Sequence, residues 1–387
     1  MEENTEKLNE IKLDPRIQNS GALAKEAFSY LNKLQTGEKN IIKTGQDFID
    51  CHIDGLLPSD VIVYAANSGV GKTKLLYDTL DLMLDEKINP NAKDIVSLEW
   101  SLEMKFLNRI LRDTNKKTGK KKSQILQEEF TEEEKDIVRR YYEGLKDNRR
   151  FVCEESITTD EFYKMTQDFC KLHKDKSAII VSLDHVLLLK KENKTDDPLE
   201  TLTAYINQLR KEFDNVYFIL LSQFNRSSFL HISDKNNDMV PRASMIYGSS
   251  HFEFLSAYIV GIVDPFKLGV NEFLKVNKDR YDWLEDYMTD EDDKGKVSFS
   301  ALGNMFYFVI KTRESDNPYK NLFIRKMELT EEQLDKMKSE VKESPSSIEI
   351  PTLRPRQIEE SDYVDLPTLS PEDAFGVSDD EDNDVPF

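Results

Sequence analysis

The stretch "YAANSGVGKTKLL", Tyr64 to Leu76, is one residue away from the phosphate-binding pattern Gly-x-x-x-x-Gly-Lys-Thr/Ser. The closing Gly71-Lys72-Thr73 is present, and Ala66 stands where the opening glycine is usual. "VIVYA" before it reads as a buried strand, and "KTKLLYDTLDLML" after it reads as a helix. That strand–loop–helix context is what a phosphate loop requires. Gly69 and Gly71 let backbone N–H groups turn toward an anion, and the helix N-terminus adds partial positive charge. Lys72 suits the β- and γ-phosphates of ATP, and the Thr73 hydroxyl suits Mg2+. The candidate nucleotide loop is therefore Ala66, Asn67, Ser68, Gly69, Val70, Gly71, Lys72 and Thr73. A glycine-rich turn that only opens a helix is the alternative.

Working outward, six further apolar, β-branched runs read as strands: 94–100, 150–155, 177–184, 215–223, 256–264 and 305–313. Few alternate cleanly, which suits strands buried on both faces of a mainly parallel sheet, with the helical segments between them as crossovers. The expected class is α/β. The basic loop 115–124 and the charged stretch 271–296 read as insertions. Residues 1–20 form a polar leader. "GALAKEAFSYLNKLQTG" spaces Leu23, Ala27, Leu31 and Leu34 as an amphipathic helix, packed on its own domain or on a neighbouring subunit.

Three strand ends carry polar residues suited to ATP hydrolysis. "AIIVSLD" ends in Asp184, a Walker-B type carboxylate for the Mg2+ shell. "IVSLEWSLEM" carries Glu99, read as the strand tip and preferred general base, with Glu103 a helical turn later as an exposed or supporting residue. "FILLSQFNR" presents Gln223 as a γ-phosphate sensor. "FVIKTRESD" pairs Lys311 with Arg313, either a solvated edge or an arginine finger that reaches a neighbour's ATP.

The chain of 387 residues has a net charge of −20. From Glu343 to Phe387, thirteen acidic residues face only Arg354 and Arg356, so over half of that excess lies in the tail. The remainder can still carry a local basic channel. Three cysteines without paired spacing, a polar acidic N-terminus and no long apolar run predict a cytoplasmic protein.

Taken in order, these segments resemble the C-terminal RecA-like ATPase domain of DnaB-type replicative helicases. The resemblance spans about residues 44–325 and rests on "KTGQDFIDCHIDGLLPSD", the Ala66 loop, "SLEW", "RFVCEESITTDEFYKMTQDF", "IIVSLDHVLLL", "LSQFNR", "GSSHFEFLSAYIV" and "IKTR". The family's loop often opens with Ala, and the glutamate of its Ser-Leu-Glu-Met segment is catalytic, which carries over to Glu99. The resemblance implies a RecA-like ATPase domain over 45–330, after a polar leader and linker helix over 1–44. Falling apolar content and rising Pro, Ser and acidic residues predict an acidic, largely disordered tail over 331–387. The resemblance also implies a homo-oligomeric ring, taken as a hexamer, with Lys311 and Arg313 completing the next subunit's ATP site. The large N-terminal helical domain of many relatives is missing, which suggests a phage or mobile-element origin.

Single-stranded DNA is then the expected track in DNA replication. Its candidate contacts are Lys190, Lys191 and Lys194, and Arg226, Lys235 and Arg242 after "LSQFNR"; a solvated basic loop is the competing reading. The end "DDEDNDVPF" is similar to the acidic tip of single-stranded DNA-binding proteins, with Pro386 and Phe387 as the groups that replication partners would grip. The alternative functions are a RecA-like ATPase that does not unwind DNA (a helicase loader, recombinase or regulatory ATPase) and a binding module without turnover.

Overall fold

The computed structural model describes residues 20–35, 41–53, 55–145, 148–193, 197–225, 240–292, 294–313, 320–327, 329 and 331–343. Its helices are α1 (Ser20–Gln35), α2 (Asp47–Ile53), α3 (Lys72–Met83), α4 (Phe106–Thr118), α5 (Lys122–Gln127), α6 (Glu132–Leu145), α7 (Thr159–Leu172), α8 (Pro198–Glu212), α9 (Ser249–Leu255) and α10 (Glu331–Glu343). The strands are β1 (Val61–Ala66), β2 (Ile95–Ser101), β3 (Arg150–Cys153), β4 (Ala178–Asp184), β5 (Val216–Ser222), β6 (Tyr258–Val263), β7 (Glu272–Asn277), β8 (Lys296–Ser300), β9 (Asn304–Thr312) and β10 (Leu322–Lys326).

Eight strands form one sheet in the order β10-β9-β6-β1-β5-β4-β2-β3. The six from β6 to β3 are parallel, and β9 and β10 add an antiparallel edge. β1, β2, β4, β5 and β6 are buried along their whole length. This is the physical reason their sequences run continuously apolar: both faces of the sheet are covered. Val61, Val63 and Ala65 pack on one side with Phe162, Leu202 and Ile206 of α7 and α8. Ile62, Tyr64 and Ala66 pack on the other with Leu76 and Leu80 of α3. The result is a RecA-like fold, with the parallel strands' C-terminal ends gathered along one edge.

The Thr-Gly…Asp segment ahead of β1 is a self-closed knot. Asp50 accepts hydrogen bonds from the Thr44 N–H (2.9 Å), the Thr44 hydroxyl (2.7 Å) and the Gly45 N–H (2.8 Å). Gly45 sits at φ +70, and a Cβ there would fall 2.6 Å from Leu82 of α3, so glycine lets this knot lie against the phosphate-loop helix.

Several local expectations change. The basic segment 115–124 is largely helical, because α4 runs to Thr118 and stops at Gly119 (φ 72) before α5 begins. The charged stretch 271–296 contributes β7, which pairs antiparallel with β8 just beyond it, and Phe273 and Phe299 of the two strands pack against Phe306. β2 continues two residues beyond Glu99, and Glu103 lies in a turn rather than on a helix. β10 was not expected. The helix of residues 21–36 forms as α1, with Leu23, Phe28 and Leu31 exposed. Among the described residues, no helix is long and apolar enough to cross a membrane.

Candidate functional site

The phosphate loop joins β1 to α3 at the C-terminal edge of the parallel strands, where open α/β sheets bind ligands. Gly69 and Gly71 adopt φ +75 and +111, and nothing lies within 4 Å of where a Cβ would stand on either. Backbone conformation, rather than crowding, is what demands glycine at both positions. The Lys72 ammonium is folded back on the loop, donating to the carbonyls of Ala66 (3.0 Å) and Asn67 (3.3 Å). Burial pushes its pKa down, while the charges of Glu103 and Asp184 push it up.

Asp184 ends β4 with both carboxylate oxygens buried and no hydrogen-bond partner of normal geometry. Burial above all pushes its carboxyl up to about 6; Glu103 adds to this, while Thr73, Lys72 and Arg112 oppose it. An ionised carboxylate left this way is costly, and a divalent cation would relieve that cost. Thr73 heads α3 beside it. No cluster of three or more His, Cys, Asp or Glu suited to a metal occurs among the described residues. One carboxylate and one hydroxyl fit Mg2+, which keeps waters and takes its other ligands from substrate phosphates.

The two glutamates of "SLEWSLEM" part company. The side chain of Glu99, 2% exposed, is paired with Arg109 at 3.0 Å. Glu103 is exposed, and its turn hangs from β4: the N–H groups of Leu102 (2.7 Å) and Glu103 (3.2 Å) donate to the Asp184 carbonyl. Glu103 is thus the carboxylate that acts electrostatically on both Lys72 and Asp184. A signal for it was present, since Ser101-Leu102-Glu103-Met104 spells Ser-Leu-Glu-Met in full, whereas Ser97–Trp100 does not.

Gln223 follows β5 directly and its carbonyl accepts from the Tyr247 N–H at 2.8 Å; the β1–β5 register sets it beside Ala66. Beyond β6, Lys267 donates to the Gly69 carbonyl at 2.5 Å and lies 3.7 Å from Asp264, closing a cleft over Asn67 and Val70. Sequence reading singled out neither Lys267 nor Arg112, because each reaches the site only through the fold.

Lys311 and Arg313 lie at the opposite edge of the sheet. β9 runs antiparallel to β6, pairing Thr312 with Tyr258 at the start of β6, while Ala66 pairs with Ile262 near its end. There Lys311 donates to the Ser256 carbonyl at 2.8 Å and also to that of Glu253, and the exposed Arg313 reaches the Leu255 carbonyl at 3.5 Å. Neither residue meets the phosphate loop of its own chain. Lys190, Lys191 and Arg242 are exposed; Lys194, Arg226, Lys235, Pro386 and Phe387 lie outside the described residues.

A family model described as "DnaB-like helicase C terminal domain" matches residues 42–263. Among solved structures, one reported as an ATPase domain superposes with a TM-score of 0.56 at 16% identity, covering 81% of this chain and 100% of that one. A second, reported as a DnaB-like replicative helicase and its interactions with primase, gives a TM-score of 0.53 at 16% identity, covering 84% of this chain and 67% of that one. Among curated proteins, none matches by sequence.

Proposed function

The chain belongs to the DnaB-like helicase C-terminal domain family, and on that premise we propose that it is an ATP-hydrolysing motor of DNA replication, a hexameric ring that translocates on single-stranded DNA. The observation that carries the reading is the meeting of Lys72, Asp184 and Glu103 at the ends of three strands. Backbone N–H groups of the loop cradle the phosphates, and Lys72 leaves its loop carbonyls for the β- and γ-oxygens. Mg2+, when bound, neutralises phosphate charge; Thr73 and Asp184 are the residues that would hold it. Glu103 accepts the proton of the attacking water as its oxygen bonds to the γ-phosphorus and the bond to ADP breaks. Gln223, set beside Ala66 by the β1–β5 register, serves in this reading as the contact to the γ-phosphate. Glu99 is unsuited to the base role because Arg109 occupies its carboxylate and water cannot reach it.

Placement of Lys311 and Arg313 at the far edge supports service in trans, to a nucleotide on the neighbouring subunit's loop. A ring also offers cover for the exposed apolar residues of α1. Lys190, Lys191 and Arg242, joined by Lys194, Arg226 and Lys235, supply phosphate contacts to DNA of any sequence. Pro386 and Phe387 end an acidic tip that recruits replication partners.

The test is unwinding of a forked DNA by the wild type and by Lys72→Ala. Strand separation that needs ATP and is lost in the variant is expected. DNA-stimulated hydrolysis without strand separation would instead assign a non-unwinding RecA-like ATPase.

A further inference from the structure

Two deeply buried charges near the phosphate loop, Arg109 and Glu99, take no part in the reaction just described. The Arg109 side chain is 3% exposed, and it holds Glu99 through Nη1 at 3.0 Å, Asp81 through Nη2 at 3.3 Å and Asp113 through Nε at 3.7 Å. Its guanidinium lies over the Tyr77 ring, 3.8 Å from the centroid. The Tyr77 hydroxyl is 3.3 Å from the Ser101 hydroxyl, which donates to the Met104 carbonyl at 2.5 Å.

These contacts form a closed circuit through three elements. Tyr77 and Asp81 lie on α3, the helix that starts at Lys72; Glu99 and Ser101 lie on β2; Arg109 lies on α4. What the circuit encloses is the turn from Leu102 to Lys105, which carries Glu103. β2 is built for this: Val96, Leu98 and Trp100 join the apolar core on one face, while Ser97, Glu99 and Ser101 are buried polar residues on the other.

A buried ion pair contributes little net stability, because desolvating both charges offsets their attraction. Its directional fork instead fixes geometry. We propose that Arg109 is a positioning residue: by clamping Glu99 and Asp81 it locks the Glu103 turn to the phosphate-loop helix, so that Glu103 is aimed at the attacking water. This rests on the ATPase reading above, with Glu103 as base. It also gives Glu99 a role without chemistry, as the anchor of the clamp.

The test uses the full chain, with ATP turnover, fluorescent-nucleotide affinity and thermal melting measured together. In Glu99→Met/Arg109→Met both charges are replaced by apolar side chains, so the fold should melt at or above the wild-type temperature. The expected result is a 10- to 100-fold fall in kcat with unchanged nucleotide affinity and KM, and a smaller fall in Arg109→Lys, which keeps the charge without the fork. Because the clamp acts through Glu103, adding either change to Glu103→Gln should slow turnover no further. Wild-type kcat in the folded double variant, or a full multiplicative loss on top of Glu103→Gln, overturns the proposal. Should the double variant not fold, Arg109→Lys alone and in the Glu103→Gln background decides the same question. Normal turnover by Glu103→Gln would refute the underlying assignment of the base, a result distinct from failure of the clamp.

Discussion

The N–H of Glu103 donates to the carbonyl of Asp184 at 3.2 Å, so the turn after β2 is suspended from the end of β4. A carboxylate that ends β4 and one on the turn after β2 thereby both act electrostatically on Lys72, an arrangement suited to a metal carboxylate and a general base. Glu99, four residues earlier, is bonded to Arg109 at 3.0 Å instead.

This separation predicts opposite phenotypes for the two glutamates. Glu103→Gln should lose about 10²–10⁴-fold in single-turnover hydrolysis with its melting temperature and nucleotide affinity unchanged. Glu99→Ala strips Arg109 of its best-buried partner and should destabilise the fold by about 3 kcal/mol, read from urea denaturation. Equal stability of the two variants would contradict the assignment.

Asp184 sets stability against function. Its folded pKa of about 6 lies above the ordinary 3.8, so its contribution to the nucleotide-free protein is fully present below about pH 4 and is lost as pH rises through 6. Asp184→Asn stays neutral throughout. It should therefore melt higher than the wild type above pH 6, by on the order of 3 kcal/mol, and lose Mg2+-dependent turnover. Melting curves for the two proteins that run parallel across pH would refute this.

Service of Arg313 in trans is open to a mixing test. Arg313→Ala and Lys72→Ala should each be inactive, the first by about 10³–10⁵-fold. Rings assembled from both contain junctions with an intact loop facing an intact Arg313, so the mixture should regain measurable ATPase activity. A mixture as inactive as its components would place Lys72 and Arg313 of the same subunit on one nucleotide, against the geometry of β9.

Gly71→Ala tests the loop's backbone. At φ +111 an alanine side chain meets open space but an unfavourable conformation. A loss of about 1–2 kcal/mol in stability is expected, together with weaker nucleotide binding measured by titration. Unaltered values for both would show that the loop can reach its geometry without glycine.

Much of this molecule was settled by local pattern. Seven strands, the loop from Ala66 to Thr73 and the carboxylate at the end of "AIIVSLD" are legible because a parallel sheet covered on both faces requires continuous apolar runs. The parallel strands' C-terminal ends share an edge, so polar residues following such runs converge without further information. What stayed illegible depends on contacts distant in sequence. β2 runs on to Ser101 through its pairing with Asp184, which buries Glu99 and sets Glu103 at the edge. Arg109 looks like one more charge on a basic helix until α3 and β2 close around it. The two copies of Ser-Leu-Glu are chemically alike, and only burial and pairing by their neighbours make one the buried partner of Arg109 and the other an exposed carboxylate that acts on Lys72.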